Sequence, residues 1–269
     1  MTHFLSRACS GLSVLAAVFY FSTGSASLAQ VAPGTVFSDC DDCPELTMLD
    51  NGTAIGTTLV TLAQFRAFAE ETGVPGTESC FVRISTRWDN AQGKGWMDPG
   101  FEQGDDHPAV CMNWLEATAY ADWLSEKTGQ FYRLPTYEES VAVTAAGATT
   151  AYWWGDDFGE VCARANAADV NFKAAFPDDK RKILTCDDGF AYTSPVTAFP
   201  PNPLGIYDAV GNVWQWTNTC LKGDCSNALF RGASWVVPAK NHFRNDGQWS
   251  DRIILRNSAV GFRVLRDAQ

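Results

Sequence analysis

Apolar residues recur at helical spacing in three segments of the chain. Each segment starts with a residue that can cap a helix and has Glu or Gln three residues later, the pattern of a capping box. The three pairs are Thr61 with Gln64, Asn113 with Glu116, and Thr136 with Glu139. The first two segments also have a glycine, Gly73 and Gly129, where a helix would end. The pattern predicts three helices whose apolar faces belong to the core.

The hydrophobic pattern changes from residue 148 onward. Short aromatic or apolar runs, such as "AYWWGDD" and "GNVWQWTNT", are separated by Gly, Pro, Asn and Asp. No helical period is sustained there, which is typical of short strands joined by long loops. We therefore predict an irregular, single-domain α+β fold with about three helices, short antiparallel strands and little regular secondary structure. Disulfides or bound cations commonly hold such long loops.

The N-terminus has the pattern of a cleaved export signal. Residues 1–29 run from Arg7 through an apolar stretch to the small residues Ser27 and Ala29. The apolar stretch is shorter than the roughly 20 residues that span a bilayer. We expect a periplasmic or secreted protein without a membrane anchor after cleavage. The remainder divides into an N-terminal segment at 30–59 and a domain at 60–269.

The charge balance narrows the choice of partners. The formal net charge is −11, and the longest run of basic residues is the three at 180–182. An acidic chain without a basic patch is not expected to bind nucleic acid or anionic membranes. The hydrophobic content of 46% suffices for one sizeable core.

The cysteine content favours disulfides. The chain has nine cysteines, and all except Cys9 follow the export signal. An even number in an exported chain predicts up to four disulfides. Cys40 and Cys43 could instead form a redox or zinc pair. Their acidic loop, followed by Pro44, lacks the strand-to-helix context of a redox motif, so we favour a structural disulfide.

Two acidic turns have the composition of a cation site. "RANAAD" contains Asn166, and "CDDGFAY" contains Asp187 and Asp188 beside a glycine. Calcium takes six to eight oxygens in roughly this kind of turn, from Asp and Asn side chains and free carbonyls. Composition alone favours the alternative, that these turns are simply solvated. A bridge between Cys162 and Cys186 would bring the two turns together.

Six motifs occur in an order that resembles the formylglycine-generating enzymes, also called the sulfatase-modifying-factor family. They are "DDHPAVCMNWLEATAYADWLSEKTGQFYRLPTYEE", "YWWGDD", "DDGFAYTSPV", "NPLGIYDAVGNVWQWT", "RGASW" and "GFRV". The resemblance covers the chain from about Val60 to the end. It implies a single irregular fold related to C-type lectins, with bound calcium.

The resemblance also implies the residues of two calcium sites. The first site would use Asn166, the carbonyl of Ala167, Asp188 and the carbonyl of Phe190. The second would use Asp208, the carbonyls of Gly211 and Val213, and Gln215. Family enzymes usually have Glu in place of Gln215, whose amide oxygen is uncharged, and Asp208 is the residue that could supply the missing charge.

The copper site of the family is not expected in this chain. Family enzymes hold copper(I) between two thiolates five residues apart, just after the motif that reads "RGASW" here. The corresponding residues are Val237 and His242, and no cysteine follows Cys225. Copper(I) requires soft ligands, so formylglycine generation by the copper mechanism is not expected.

Another metal site would need other ligands. Beyond the export signal the chain has only His107 and His242, which excludes a three-histidine iron site. A site of His242 with Asp246 and Asp251 is arithmetically possible, but such residues are ordinary in a polar surface loop. For His107, which precedes a proline, a structural hydrogen bond is the favoured role.

Two functions are consistent with these residues. The preferred one is an accessory or binding module whose loop at 236–251 presents side chains to a protein or small-molecule ligand. These are Lys240, Asn241, His242, Phe243, Arg244, Asn245, Asp246, Gln248 and Trp249. The alternative is a periplasmic oxidoreductase that acts without the two-thiolate copper site, like the family member that oxidises a siderophore precursor. Its candidate catalytic residues are His242, Asp246, Arg244 and Arg256, and a groove with titratable groups near the loop would favour it.

The cysteine spacing leaves the disulfide pairing open. The pairing that we favour joins neighbours along the chain: Cys40 with Cys43, Cys80 with Cys111, Cys162 with Cys186, and Cys220 with Cys225.

Overall fold

The computed structural model of the protein describes Met1 and residues 31–268, and the three predicted helices begin at their capping boxes. They are α1 (Leu62–Thr72), α2 (Trp114–Thr128) and α3 (Tyr137–Ala145). Both hydrogen bonds of the capping box are present in each. Gly73 and Gly129 end α1 and α2 in the left-handed conformation. The helix prediction is therefore confirmed. The predicted export signal and Cys9 lie outside the described residues.

Beyond α3, the described part of the chain contains only short helices. A six-residue helix, α4 (Val170–Ala175), is capped by Asp169, which accepts hydrogen bonds from two backbone N–H groups. Two 3-10 helices span Phe158–Ala163 and Lys240–His242. Within the described part of the chain, no helix is long and apolar enough to cross a membrane.

A five-stranded antiparallel sheet joins the two ends of the described chain. Its strands, in spatial order, are β1 (Val36–Phe37), β2 (Leu46–Met48), β3 (Ala54–Gly56), β11 (Leu265–Arg266) and β6 (Tyr132–Arg133). The residues at 30–59 thus supply three strands of this sheet, and the C-terminal strand β11 pairs with β3 and β6.

A four-stranded sheet and a separate hairpin complete the architecture. The sheet has the order β10 (Val260–Phe262), β7 (Trp214–Leu221), β8 (Asp224–Arg231) and β9 (Gln248–Arg252), and the hairpin consists of β4 (Ser79–Ile84) and β5 (Arg87–Gln92). The β10–β7 pair is parallel, which differs from the purely antiparallel expectation. The prediction of a loop at 236–251 is wrong at its end, because Trp249 lies on β9 opposite Phe230. The irregular α+β fold is confirmed.

Aromatic side chains form much of the core between the helices and the four-stranded sheet. The ring of Phe262, on β10, lies 5.3 Å from that of Tyr120 on α2 and 6.2 Å from that of Phe65 on α1. All three side chains are fully buried. The apolar faces predicted for α1 and α2 therefore meet on the strand that carries the "GFRV" motif.

The four predicted disulfides are all present. They join Cys40 to Cys43, Cys80 to Cys111, Cys162 to Cys186, and Cys220 to Cys225. These eight residues are the cysteines of the described chain. No free thiol is therefore left among the described residues.

Candidate ligand-binding cleft and calcium sites

An aromatic cleft of about 440 Å³ opens beside the four-stranded sheet. The hairpin contributes Phe81 and Trp88, and the sheet contributes Trp214, Phe230 and Trp249. The charged or titratable side chains at its wall are Arg181, His242, Asp251 and Arg252. The cleft thus combines flat apolar walls with a few polar groups, the usual composition of a small-molecule site.

The two positions that correspond to the copper ligands both line this cleft. Val237 has no donor atom, and His242 is the only one of the two that could bind a metal. The His242 ring makes edge contacts with Trp214 and Trp249, at centroid distances of 5.4 Å and 5.6 Å. Burial lowers the pKa of His242 below its ordinary 6.5, which favours the neutral imidazole near pH 7.

Local packing places His242 against the cleft. Gly247 lies so close to the preceding 3-10 helix that an added Cβ would come within 2.5 Å of the His242 carbonyl oxygen. Arg231, from the "RGASW" motif, is fully buried and donates to the carbonyl of Asn245 at 2.6 Å and to the carbonyl of Ser140 on α3 at 3.1 Å. The segment is therefore held to both the sheet and α3.

Two residues that we expected on the partner-binding surface are buried. Phe243 has no exposed surface and packs against Phe158, with ring centroids 5.6 Å apart. Asn245 is 8% exposed and donates to the carbonyl of Thr150. The prediction that they face a partner is wrong, because the segment folds back over the 3-10 helix at Phe158–Ala163.

Arg181 reaches the cleft from the segment after α4 and was not among the site residues predicted from the sequence. Its guanidinium donates to the carboxylate of Asp179, at 2.9 Å from the nearer oxygen, and to the carbonyl of Val236 at 2.9 Å. Arg83, on β4, donates to the same carboxylate. Burial by itself raises the pKa of Asp179, but hydrogen bonds from Arg181 and Arg83 outweigh it and lower the pKa to about 2.

The remaining catalytic candidates lie outside the cleft lining. Arg244 and Asp246 are exposed and pair with each other at 2.9 Å. Arg256 pairs with Glu116 at 2.6 Å and Glu78 at 2.7 Å, and the hydrogen bond that it donates to Glu116 raises its pKa. The interpretation of these residues as structural ion pairs is the simpler one.

The possible His and carboxylate metal site does not form. In the described chain, the one cluster of three potential metal ligands is Cys162, Asp169 and Asp188, and Cys162 is in a disulfide. Asp251 lines the cleft with His242, whereas Asp246 does not. His107 hydrogen-bonds the Thr193 hydroxyl at 3.0 Å, the structural role that we expected.

The hairpin residues of the cleft could have been found in the sequence. In "SCFVRISTRWDN", the apolar residues Cys80, Val82 and Ile84 recur at every second position before a Ser-Thr turn, which is a hairpin signal. That signal would have placed Trp88 on a strand. It would not have shown which strand or loop forms the other wall of the cleft.

The first predicted calcium site has an unpartnered oxygen donor. Asn166 is fully buried, and its Oδ1 has no hydrogen-bond partner in the described structure. Asp188 accepts from the N–H groups of Ala167 at 2.7 Å and Phe190 at 2.8 Å. Burial is the main reason that the pKa of Asp188 is raised to about 7, and the nearby Asp169 carboxylate contributes to the same shift. A buried carboxylate pair beside a free amide oxygen fits a calcium ion.

The second predicted calcium site also has a buried side-chain oxygen without a hydrogen-bond partner among the described residues. Asp208 is buried; its Oδ2 accepts from Asn212 at 2.8 Å, and its Oδ1 has no partner within the described residues. Burial raises its pKa to about 7. Gln215 accepts from Arg263 at 3.2 Å and donates to the Asp208 carbonyl. Asp208 thus provides the carboxylate that Gln215 lacks, and its unpartnered Oδ1 fits a cation, whereas the Gln215 amide oxygen is already hydrogen-bonded by Arg263.

The two turns touch each other at Gly211. Its φ is 83°, and an added Cβ would lie 2.6 Å from the Cβ of Ala165 and 2.8 Å from the carbonyl oxygen of Asn166. The N–H of Asn212 donates to the same carbonyl at 3.0 Å. Val213, whose carbonyl belongs to the second set, is fully buried. The two candidate calcium sites are therefore neighbours in one packed region.

Comparisons with known proteins agree with this architecture. Residues 23–268 match the family model of the sulfatase-modifying factor enzyme 1-like domain. A formylglycine-generating enzyme of Streptomyces coelicolor is 30% identical over 257 residues, which cover 80% of this chain and 78% of that protein. An inactive C-alpha-formylglycine-generating enzyme 2 of Bos taurus is 34% identical over 152 residues, which cover 54% of this chain but only 45% of the relative.

A solved structure extends the similarity to the whole fold. PvdO from Pseudomonas aeruginosa superimposes with a TM-score of 0.73 and 27% sequence identity, covering 88% of this chain and 99% of that one. The motifs, the fold and these matches lead to one assignment. The chain belongs to the sulfatase-modifying factor family, which includes the formylglycine-generating enzymes.

Proposed function

We propose that this protein is an exported, calcium-stabilised family member that binds a small organic ligand in the aromatic cleft and acts as a binding or accessory protein. The observation that carries the proposal is the replacement of the copper ligands by Val237 and His242, both of which line the cleft. Because every described cysteine is in a disulfide, no thiolate in the described chain is available to replace them. The relative that is named inactive fits a family in which catalysis can be lost.

The shape of the cleft supports a small-molecule ligand. Its volume of about 440 Å³ lies within the range of small-molecule pockets. Trp249, at its wall, is 55% exposed although it packs against His242. An exposed tryptophan beside an aromatic cleft is a good binding surface, because it supplies a large contact area with little loss of side-chain entropy.

Export and calcium rest on separate observations. Four disulfides are stable in an oxidising compartment, which supports a periplasmic or secreted location. The unpartnered oxygens of Asn166 and Asp208 support calcium at the two neighbouring turns. Calcium would there neutralise the buried carboxylates of Asp188 and Asp208.

Elemental analysis and ligand titration test this function together. The purified protein, dialysed with its disulfides intact, should contain calcium and no stoichiometric copper or iron. The neutral flat compound 2-naphthamide should bind, as measured by calorimetry, and Trp249→Ala should weaken it about tenfold, in line with loss of an aromatic anchor. Trp123→Phe, on α2 away from the cleft, is the matched control. Copper bound near one per chain and lost in His242→Ala would overturn the proposal, and so would a lack of naphthamide binding.

A second candidate function is oxidation of the ligand in the same cleft. The observation that favours it is the half-buried His242, which is neutral near pH 7 and could accept a proton from a ligand between Trp214 and Trp249. In such a reaction two electrons and two protons would pass from the ligand to dioxygen, giving hydrogen peroxide. Peroxide formation with small molecules from the producing culture should then be lost in His242→Gln and kept in Arg66→Gln. If the wild-type protein and Arg66→Gln form no peroxide, oxidation is excluded and only the binding function remains.

A further inference from the structure

We propose that the cleft takes a flat organic anion and that Arg181 binds its carboxylate or phosphate group. This inference deepens the function proposed above and rests on it, since it presupposes a small ligand in the cleft. It names the charge of that ligand and the residue that selects it.

Arg181 is held in position before any ligand arrives. The Nε and one terminal nitrogen donate to Asp179, and the other terminal nitrogen donates to the carbonyl of Val236 at 2.9 Å. The guanidinium also lies over the ring of Phe172, at 5.2 Å from its centroid. Each terminal nitrogen carries a second N–H group, so both keep a donor for a ligand. A guanidinium fixed in this way loses little side-chain entropy when it binds an anion.

The charges around Arg181 leave positive charge on the side of the cleft. Asp179 is one carboxylate shared by two guanidiniums, those of Arg83 and Arg181. The side chains of Asp179 and Arg83 are 2% and 8% exposed, whereas that of Arg181 is 42% exposed. Of these three side chains, Arg181 is therefore the most accessible, and it lines the cleft. At the cleft wall, Arg252 adds a second positive charge and Asp251 is the one carboxylate.

The aromatic walls determine the shape of the ligand, and the arginines determine its charge. Tryptophan-lined clefts also bind quaternary ammonium ions, through cation–π contacts. Binding of such a cation is unfavourable here, because Arg181 and Arg252 line the same cleft as Trp88 and Trp249. A planar fork of N–H donors matches a carboxylate or phosphate instead. A flat ring with an anionic substituent satisfies both parts of the cleft.

Three probes of one shape test the charge. We would titrate 2-naphthoate, neutral 2-naphthamide and (2-naphthylmethyl)trimethylammonium into the whole protein by calorimetry. The naphthoate should bind about tenfold more tightly than the amide, as a charge-assisted hydrogen bond predicts. Arg181→Gln should remove this preference by weakening the naphthoate far more than the amide, while Arg181→Lys should keep part of it. Arg66→Gln, at a partly exposed arginine outside the cleft lining, is the matched control.

The amide serves as an internal check of folding and of the cleft. If the amide binds but the naphthoate has no advantage, or if Arg181→Gln weakens both probes by the same factor, the anion inference is wrong and the small-ligand function stands. Tighter binding of the ammonium probe would also overturn it. If the amide does not bind to the wild-type protein, the proposed function itself fails. Arg181→Gln leaves Asp179 paired with Arg83, so the variant is expected to fold, as thermal unfolding will show.

Discussion

The buried carboxylate of Asp179 shows how single residues organise the cleft. Its charge is stable in the interior because two guanidiniums, from β4 and from the segment after α4, donate to it. Its pKa is about 2 in the folded protein, below the ordinary 3.8. A carboxyl whose pKa is lowered by folding contributes stability that is present above pH 3.8 and is lost as the pH falls through about 2.

Asp179→Asn should lower the free energy of unfolding by about 3–5 kcal/mol near pH 7, because the buried Arg83 loses its counter-ion. The difference from wild type should shrink as the pH falls from 3.8 toward about 2. Urea unfolding across this pH range measures both effects. Asp178→Asn, at the exposed neighbouring carboxylate, is the control. An equal loss in Asp178→Asn would show that the Asp179 ion pairs do not cause the effect.

The correspondence of Val237 and His242 with the copper ligands of the family can be tested by restoring two cysteines. Since Val237 and His242 both line the cleft, the double variant Val237→Cys with His242→Cys should bind about one copper(I) per chain, because two thiolates are the ligands that copper(I) prefers. Competition with a chromogenic copper(I) chelator measures this binding. In the control pair, Val236→Cys with His242→Cys, the first cysteine is shifted by one residue. This pair should bind copper(I) more weakly. Equal binding by the two pairs would mean that the alignment of this segment with the copper ligands is wrong.

At the scale of elements, the three long helices were predictable and the hairpin was missed. A capping box and a glycine stop act within a few residues, so Thr61, Asn113 and Thr136 marked their helix starts without knowledge of the fold. The strand β9 was not predicted, because Trp249 becomes part of a strand only through pairing with β8. Strand pairing is nonlocal and leaves a weaker local signal.

Gly211 joins the two acidic turns into one element. Gly211→Ala should lower the free energy of unfolding by about 2–4 kcal/mol, since it adds a clash with Ala165 and Asn166 to the cost of a left-handed residue. Gly205→Ala is the matched control: its φ is also positive, at 79°, but an added Cβ has nothing within 4 Å. Gly205→Ala should lower the free energy of unfolding by only about 1 kcal/mol. Thermal and urea unfolding give both values, and equal losses would contradict the close packing of the turns.

At the scale of the whole molecule, calcium should determine much of the stability. Chelation of calcium should lower the melting temperature. Calcium at a hundred times its Kd should raise the free energy of unfolding again by about 3 kcal/mol for each site. Asp188→Asn and Asp208→Asn should each remove one calcium per chain, as counted by elemental analysis. Asp187→Asn is the control, because Asp187 is exposed and lies outside both donor sets. A calcium content unchanged by both substitutions would refute the two sites.

The sequence by itself determined the three helices, the number of disulfides, the family and the loss of the copper ligands. Each of these depends on local hydrogen bonds, on spacing, or on motifs in order. Only the tertiary structure decided what replaces the copper site. Trp88, Arg181, Trp214 and His242 come from separate parts of the chain and meet in one cleft. Burial then lowers the pKa of His242 and raises that of Asp188. Both outcomes depend on which distant residues exclude water from one another, and no single segment of the sequence contains that information.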